Sequence, residues 1–162
     1  MSETHVAETT TDAFTLDGLS HITLPARNAQ EAKRFWVSLF GAGIEVDHAG
    51  FIEVNIGGTV LGYSENSDLI GPRGTEAPHF AFYIKPERLL SAKAHLEAHG
   101  VPTQPLWTRS GKMAHMYFCD PSANLFELIA VGFEDAHSLP RPPSNDGDMQ
   151  FDLSTLAYEW RG

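Results

Sequence analysis

The chain has 162 residues, enough for one well-packed domain, and carries 21 acidic against 11 basic side chains. Its formal net charge of −10 argues against nucleic acid and anionic membranes as partners, and no apolar run approaches the ~18 residues of a membrane span. The single cysteine excludes an internal disulfide framework, and with no secretory signal in view we expect a cytoplasmic protein.

The first half of the chain predicts one strand, one helix and three more strands. Residues 1–15 are polar and Thr-rich and are expected to be a disordered lead-in. A strand near residues 16–25 is followed by Asn28 as an N-cap and by apolar residues at helical spacing up to a stop at Gly41. Three short strands follow. Together these elements predict a βαβββ module over residues 16–64.

The same order of elements recurs after a polar linker that contains glycine and proline. A strand near residues 79–84, a helix introduced by Pro86, a short strand near 104–107 and a final hairpin predict a second module over residues 78–132. The predicted fold class is therefore α+β, with two tandem βαβββ modules forming a curled mixed sheet over residues 16–132.

The C-terminal tail, residues 133–162, follows a different pattern. Its prolines and an Asn-Asp-Gly-Asp segment are incompatible with helix or sheet interior. Its last twelve residues are nevertheless rich in large apolar side chains, too many for a purely disordered segment. We expect this tail to pack on the body of the domain, on a partner subunit or across the mouth of a site.

Strand parity places three potential metal ligands on the sheet faces that point away from the helices. Glu127 lies within the apolar run 125–130, where a carboxylate is costly to bury unless it is paired or binds a metal. His21 and His79 hold equivalent positions on the first strands of the two modules. Two imidazoles and one carboxylate form a facial triad, which leaves three adjacent positions open on an octahedral divalent ion. Each residue alone has an ordinary structural explanation, and their joint occurrence favours a metal site.

These motifs resemble those of the vicinal oxygen chelate superfamily. Its members include glyoxalases, fosfomycin-resistance thiol transferases, bleomycin-resistance proteins and ring-cleaving extradiol dioxygenases. The resemblance covers residues 17 to about 131, and the last of its motifs is similar to the extradiol signature, with Ala123 in place of the usual Gly. The segments that carry it are Leu-Ser-His21-Ile-Thr, Pro-His79-Phe-Ala-Phe and Tyr117-Phe-Cys-Asp-Pro-Ser-Ala-Asn-Leu-Phe-Glu127.

The resemblance implies that His21, His79 and Glu127 bind one metal ion, for which we expect Fe(II), with Mn(II) as the alternative. Among the reactions of the superfamily we expect extradiol cleavage of a small catechol, for example L-DOPA, by dioxygen. His115 and Tyr117 lie on the Glu127 side of the final hairpin. An imidazole exchanges protons near neutral pH, so we expect His115 to be the acid/base and Tyr117 to hydrogen-bond a substrate oxygen.

Three further residues are candidate substrate contacts. Thr23 shares the face of His21, and Arg109 and Lys112 lie in a basic loop where they could hold a substrate carboxylate. Exposed sheet edges and the apolar tail also need to be covered, so we expect a homodimer or a higher homo-oligomer.

Other functions stay open. Fosfomycin-resistance enzymes use three ligands of this type and a Tyr at the position of Tyr117, but their cation-binding loop contains an acid, which the loop 108–112 lacks. A glyoxalase-type isomerase needs a fourth ligand near residues 60–63, where only Glu65 could reach in. A metal-free drug-binding protein of the bleomycin-resistance kind is the alternative that is not an enzyme.

Overall fold

The computed structural model describes residues 19–66, 78–142 and 146–162. The expected lead-in at residues 1–15 and most of the linker lie outside this part of the chain. No helix in the described ranges has the length and apolar character needed to cross a membrane. The elements of the two modules are β1 (His21–Ala26), α1 (Ala29–Phe40), β2 (Gly43–His48), β3 (Phe51–Ile56), β4 (Thr59–Glu65), β5 (Phe80–Tyr83), α2 (Leu89–Ala98), β6 (Met113–Cys119) and β7 (Leu125–Val131).

The first module forms a four-stranded sheet in the order β1-β4-β3-β2, with β1 parallel to β4 and the other pairs antiparallel. Helix α1 begins where predicted, because the side chain of Asn28 accepts a hydrogen bond from the backbone N–H of Glu31 at 2.9 Å. It ends at Gly41, whose φ of 65° is the left-handed conformation that favours glycine. The predicted βαβββ order of this module is confirmed.

The second module forms a three-stranded sheet in the order β5-β7-β6, with β5 parallel to β7. The strand expected near residues 104–107 is wrong as a continuous element. Its place is taken by two isolated bridges, from Thr103 to Phe118 and from Trp107 to His115. Pro102 and Pro105 have no N–H to donate, so they interrupt the ladder along β6. The α+β class with two related modules is confirmed.

Helix α1 packs between the two sheets and joins them into one core. The ring of Phe35 lies 6.5 Å from that of Phe118, and the ring of Trp36 lies 4.8 Å from that of Phe126 and 6.1 Å from that of Phe82. All three partners are on the second sheet. Both sheets therefore turn their helix-facing sides towards a shared interior, and their opposite faces point away from it.

The turn between β6 and β7 fastens the second module to the first. Asp120 is buried and accepts hydrogen bonds from the backbone N–H groups of Ser122 and Asn124, each at 2.9 Å. The side chain of Asn124 donates to the backbone oxygen of Pro25 at 3.0 Å. Ala123 adopts a φ of 64° in this turn, a conformation that glycine would hold without strain. Burial raises the pKa of Asp120 to about 6, although its hydrogen-bond donors oppose the shift.

Candidate metal centre

Glu127 lies in the middle of β7, the central strand of the second sheet. Its neighbours Phe126 and Leu128 point into the shared core, so its carboxylate points to the opposite face. In the ladder it pairs with Ala81 on one side and Tyr117 on the other. Only 4% of the residue is exposed, so its carboxylate depends on polar partners in the protein to offset the cost of burial.

Two imidazoles contact the two carboxylate oxygens of Glu127. His79 Nε2 lies 3.3 Å from Oε2, and His115 Nδ1 lies 2.8 Å from Oε1. The side chain of His79 is 24% exposed, whereas that of His115 is 4% exposed. The pair of His79 and Glu127 therefore borders open space, and His115 lies behind the carboxylate.

His115 is enclosed by aromatic side chains. Its ring stacks on the indole of Trp107 at 4.3 Å between centroids and 21° between planes. Its Nε2 atom is buried and, within the described ranges, has no hydrogen-bond partner. An acid/base role at a substrate needs a nitrogen that reaches open space, and this placement instead suits His115 to hold Glu127 in position. Sequence reasoning did not single out Trp107, whose only sequence signal is its place in the segment facing His115.

Tyr117 lies beside the same pair of residues. Its ring meets the ring of His79 at 5.3 Å, nearly edge to face, and it is fully buried. The centroid of the same ring also lies 5.4 Å from that of Phe151, a residue of the C-terminal tail. The structure thus brings Tyr117 close to the candidate ligands but places it under the tail.

His21 is not brought to His79 and Glu127 within one chain. It is exposed on β1, where its Nδ1 lies 3.1 Å from the Ser20 hydroxyl. In residues 19–66, 78–142 and 146–162, no group of three or more His, Cys, Asp or Glu side chains is arranged to hold a metal ion. The reason is the shared core, which directs the His21 face of the first sheet and the Glu127 face of the second sheet away from each other.

The three candidate substrate contacts lie in two places. Thr23 is exposed on the His21 face, and its hydroxyl lies 3.0 Å from where a side-chain carbon at Gly62 would stand, so the glycine makes room for it. Arg109 is exposed and its guanidinium lies over the ring of Trp107 at 5.0 Å. Lys112 is exposed in the same loop. The structure does not bring Thr23 together with the two basic residues in one chain.

The fourth ligand of an isomerase has no source in this region. The carboxylate of Glu65 accepts a hydrogen bond from the backbone N–H of Ala29 at 3.0 Å, at the beginning of α1. A carboxylate at a helix N-terminus is stabilised by the unpaired N–H groups there, which keeps it from the sheet face. Residues 60–63 supply no other acid or imidazole.

A family model places this arrangement in a known class of proteins. Residues 18–128 match the model described as Glyoxalase/Bleomycin resistance protein/Dioxygenase superfamily, and the chain belongs to that superfamily. The resemblance inferred from the motifs is therefore confirmed. No curated protein sequence matches the chain.

The solved structures that resemble this chain include a fosfomycin resistance protein and a lactoylglutathione lyase. The fosfomycin resistance protein FosX from Listeria monocytogenes is 28% identical with a TM-score of 0.65, and the match covers 75% of this chain and 99% of that one. A mutant form of it, 27% identical with a TM-score of 0.63 and covering 72% of this chain and 94% of that one, was crystallised with Mn(II) and 1S,2S-dihydroxypropylphosphonic acid. A lactoylglutathione lyase from Agrobacterium tumefaciens is 17% identical with a TM-score of 0.58, and the match covers 71% of this chain and 94% of that one. At this identity the likeness shows the fold alone.

Proposed function

We propose that the chain is a divalent-metal-dependent enzyme whose centre forms between two copies. His79 and Glu127 of one copy supply two ligands, and His21 of a second copy supplies the third. The observation that carries this proposal is the contact between His79 and Glu127 on an open sheet face, while His21 stands exposed on the corresponding face of the other sheet. A homodimer in which the two faces meet would complete the ligand set.

The donor set fits a divalent transition metal. Imidazole nitrogens and a carboxylate oxygen suit Mn(II) and Fe(II), and the Nε2 of His79 and the Oε2 of Glu127 converge to 3.3 Å. When bound, such an ion polarises a substrate oxygen, and iron in addition supplies dioxygen chemistry. The chain itself holds Glu127 in place through His115 and excludes water behind it with Trp107.

For the reaction, we favour the opening of the epoxide ring of fosfomycin, a small phosphonate, because the similar solved structure is a fosfomycin resistance protein. The support is the identity of 28% over nearly the whole length of the Listeria protein and the manganese and diol phosphonate found with its mutant form. The lack of an acid in the basic loop 108–112 still distinguishes this chain from the pattern expected of such enzymes, but it does not alter the pair of His79 and Glu127.

A second candidate is the extradiol cleavage of a catechol such as L-DOPA with Fe(II). The observation that favours it is aromatic: Tyr117 lies directly opposite Glu127 in the ladder and against the ring of His79, with Trp107 beside it. A planar substrate ring suits such surroundings, since aromatic pairs prefer offset or edge contacts.

One experiment separates the two candidates. The protein is loaded anaerobically with Mn(II) or Fe(II), then incubated with fosfomycin and either water or a thiol under phosphorus NMR, and with a panel of catechols at an oxygen electrode. Conversion of fosfomycin supports the first candidate, and oxygen uptake that requires Fe(II) supports the second. Glu127→Gln is expected to abolish either activity, and the exposed Glu134→Gln serves as the matched control. Full metal occupancy in Glu127→Ala, which has no side-chain oxygen, would contradict the proposed centre.

A further inference from the structure

The C-terminal tail lies on the same sheet face as the candidate metal ligands. In the antiparallel ladder of β6 and β7, Tyr117 stands opposite Glu127 and Cys119 stands opposite Leu125, so all four share one face. That face forms a separate apolar cluster with the tail. Its members are Trp107, Tyr117, Cys119, Leu125 and Leu156, with Met149, Phe151, Leu153 and Tyr158 packed against them.

Polar contacts fix this part of the tail in place. The side-chain amide of Gln104 donates to the backbone oxygen of Asp152 and to the hydroxyl of Thr155, both at 2.7 Å. The hydroxyl of Tyr158 donates to the backbone oxygen of Cys119 at 2.9 Å. Leu156 between them is 1% exposed. A segment held by three hydrogen bonds and a buried side chain is an integral, packed part of the domain.

The tail covers only one half of the face. Tyr117 and Trp107 are fully buried beneath it, whereas Ala81 and Tyr83 on the other side of β7 are exposed. The pair of His79 and Glu127 lies at the border between the covered half and the open half. Phe151 is linked to His79 through a single ring, by steps of 5.4 Å to Tyr117 and 5.3 Å from there to His79.

We propose that residues 149–158 form a fixed wall of the substrate pocket and that Phe151 determines which substrates fit beside the metal ligands. The wall packs Met149, Phe151 and Leu153 against the sheet face. Its acidic side chain, Asp152, is exposed and accepts a hydrogen bond from the backbone N–H of Ser154. The substrate group that faces the wall is therefore compact and apolar. The family match ends at residue 128, which makes the wall an addition to the common fold. This inference rests on the proposed metal centre.

Shape selection by Phe151 can be measured without knowing the reaction. Acetohydroxamate and benzohydroxamate chelate metals through two neighbouring oxygens and differ in the size of one apolar group. Their dissociation constants are measured by calorimetry on the Mn(II)-loaded protein, for the wild type, Phe151→Ala and Phe151→Leu. Phe133→Ala is the matched control, because Phe133 is a half-buried tail residue outside the wall that packs against the shared core instead of the Tyr117 cluster.

Removing the phenyl group leaves ring-sized space beside Tyr117, so the preference of Phe151→Ala is expected to shift towards benzohydroxamate by about tenfold or more. Phe151→Leu is expected to shift the preference part of the way, and Phe133→Ala is expected to keep the wild-type preference. If both Phe151 variants bind Mn(II) normally and keep the wild-type ratio of the two hydroxamate dissociation constants, the proposed role of Phe151 is wrong, whereas the proposed metal centre is unaffected. A wild-type protein that binds no Mn(II) would overturn the metal centre and the wall together.

Discussion

His115 and Glu127 are joined across neighbouring strands by a contact of 2.8 Å between Nδ1 and Oε1, and the indole of Trp107 stacks on one face of this imidazole. The arrangement leaves the second carboxylate oxygen directed at His79. Residues that orient a metal ligand are commonly worth ~10–100-fold in metal affinity. His115 thus acts through Glu127.

The first prediction follows from that contact. His115→Ala is expected to weaken Mn(II) binding by about 10–100-fold, because Glu127 loses the group that orients it. His115→Asn is expected to recover a large part of the affinity, since its amide nitrogen can stand where Nδ1 stands. Binding is measured by calorimetry, with the exposed His137→Ala as control. Equal losses in the Ala and Asn variants would contradict an orienting role.

The second prediction concerns the proposed origin of His21. His21→Ala and Glu127→Ala are each expected to lose the metal centre. A mixed dimer of the two variants holds one intact site and one doubly altered site, so unfolding and refolding an equal mixture should restore about a quarter of wild-type metal sites. His21→Ala mixed with His79→Ala should behave in the same way. No recovery on mixing would show that His21 does not come from a second copy.

The third prediction uses Asp120. Burial raises its pKa to about 6, above the ordinary value of 3.8, so the folded protein binds this proton more tightly than the unfolded chain. Its contribution to stability is therefore present at low pH and is lost as the pH rises from about 4 to about 6. The loss is on the order of 2–3 kcal/mol.

Urea unfolding measured between about pH 4 and pH 7 checks this sign. Asp120→Asn cannot titrate, so its stability should lack this fall, and the difference between the two proteins isolates Asp120 from other groups that titrate there. A difference that stays constant across the window would exclude the raised pKa.

The fourth prediction concerns the turn that holds Asp120. Ala123 adopts a φ of 64°, which costs a residue with a side chain ~1–2 kcal/mol. Ala123→Gly removes this strain but makes the unfolded chain more flexible, so a net gain of ~0.5–1 kcal/mol is expected in the free energy of unfolding. Ala130→Gly, in the interior of β7, should destabilise instead. Thermal unfolding of both variants measures the contrast.

The sequence was sufficient to predict most of the helices and strands and the faces of the strands, because both depend on local periodicity. The N-cap at Asn28 and the shared face of Tyr117 and Glu127 are examples of such local signals. The sequence was insufficient to predict how the His21 face of the first sheet is oriented relative to the Glu127 face of the second sheet. The alternation of side chains along each strand places His21 and Glu127 on the faces opposite the helices. Only the packing of α1 against both sheets shows that these two faces point away from each other within one chain.

Contacts made by irregular segments were also beyond prediction. The stacking of Trp107 on His115 depends on two bridges in a segment that proline keeps from being a strand. The composition of the tail predicted only that it packs on some surface, and the body of the domain, a partner subunit and the mouth of a site were all compatible with it. Its actual position on the Glu127 face depends on distant partners such as Gln104, which no local pattern links to residue 152.

The packing of Trp36 bears on how a repeated fold can be divided. Its ring lies against Phe82 and Phe126 of the second module, and its indole N–H donates to the hydroxyl of Tyr63 in the first at 2.7 Å. A fragment containing only the first module would expose this side chain and Phe35 to water. The two modules should consequently unfold in one cooperative transition, and neither should be stable as a separate fragment, although each contains the repeated order of strands and helix.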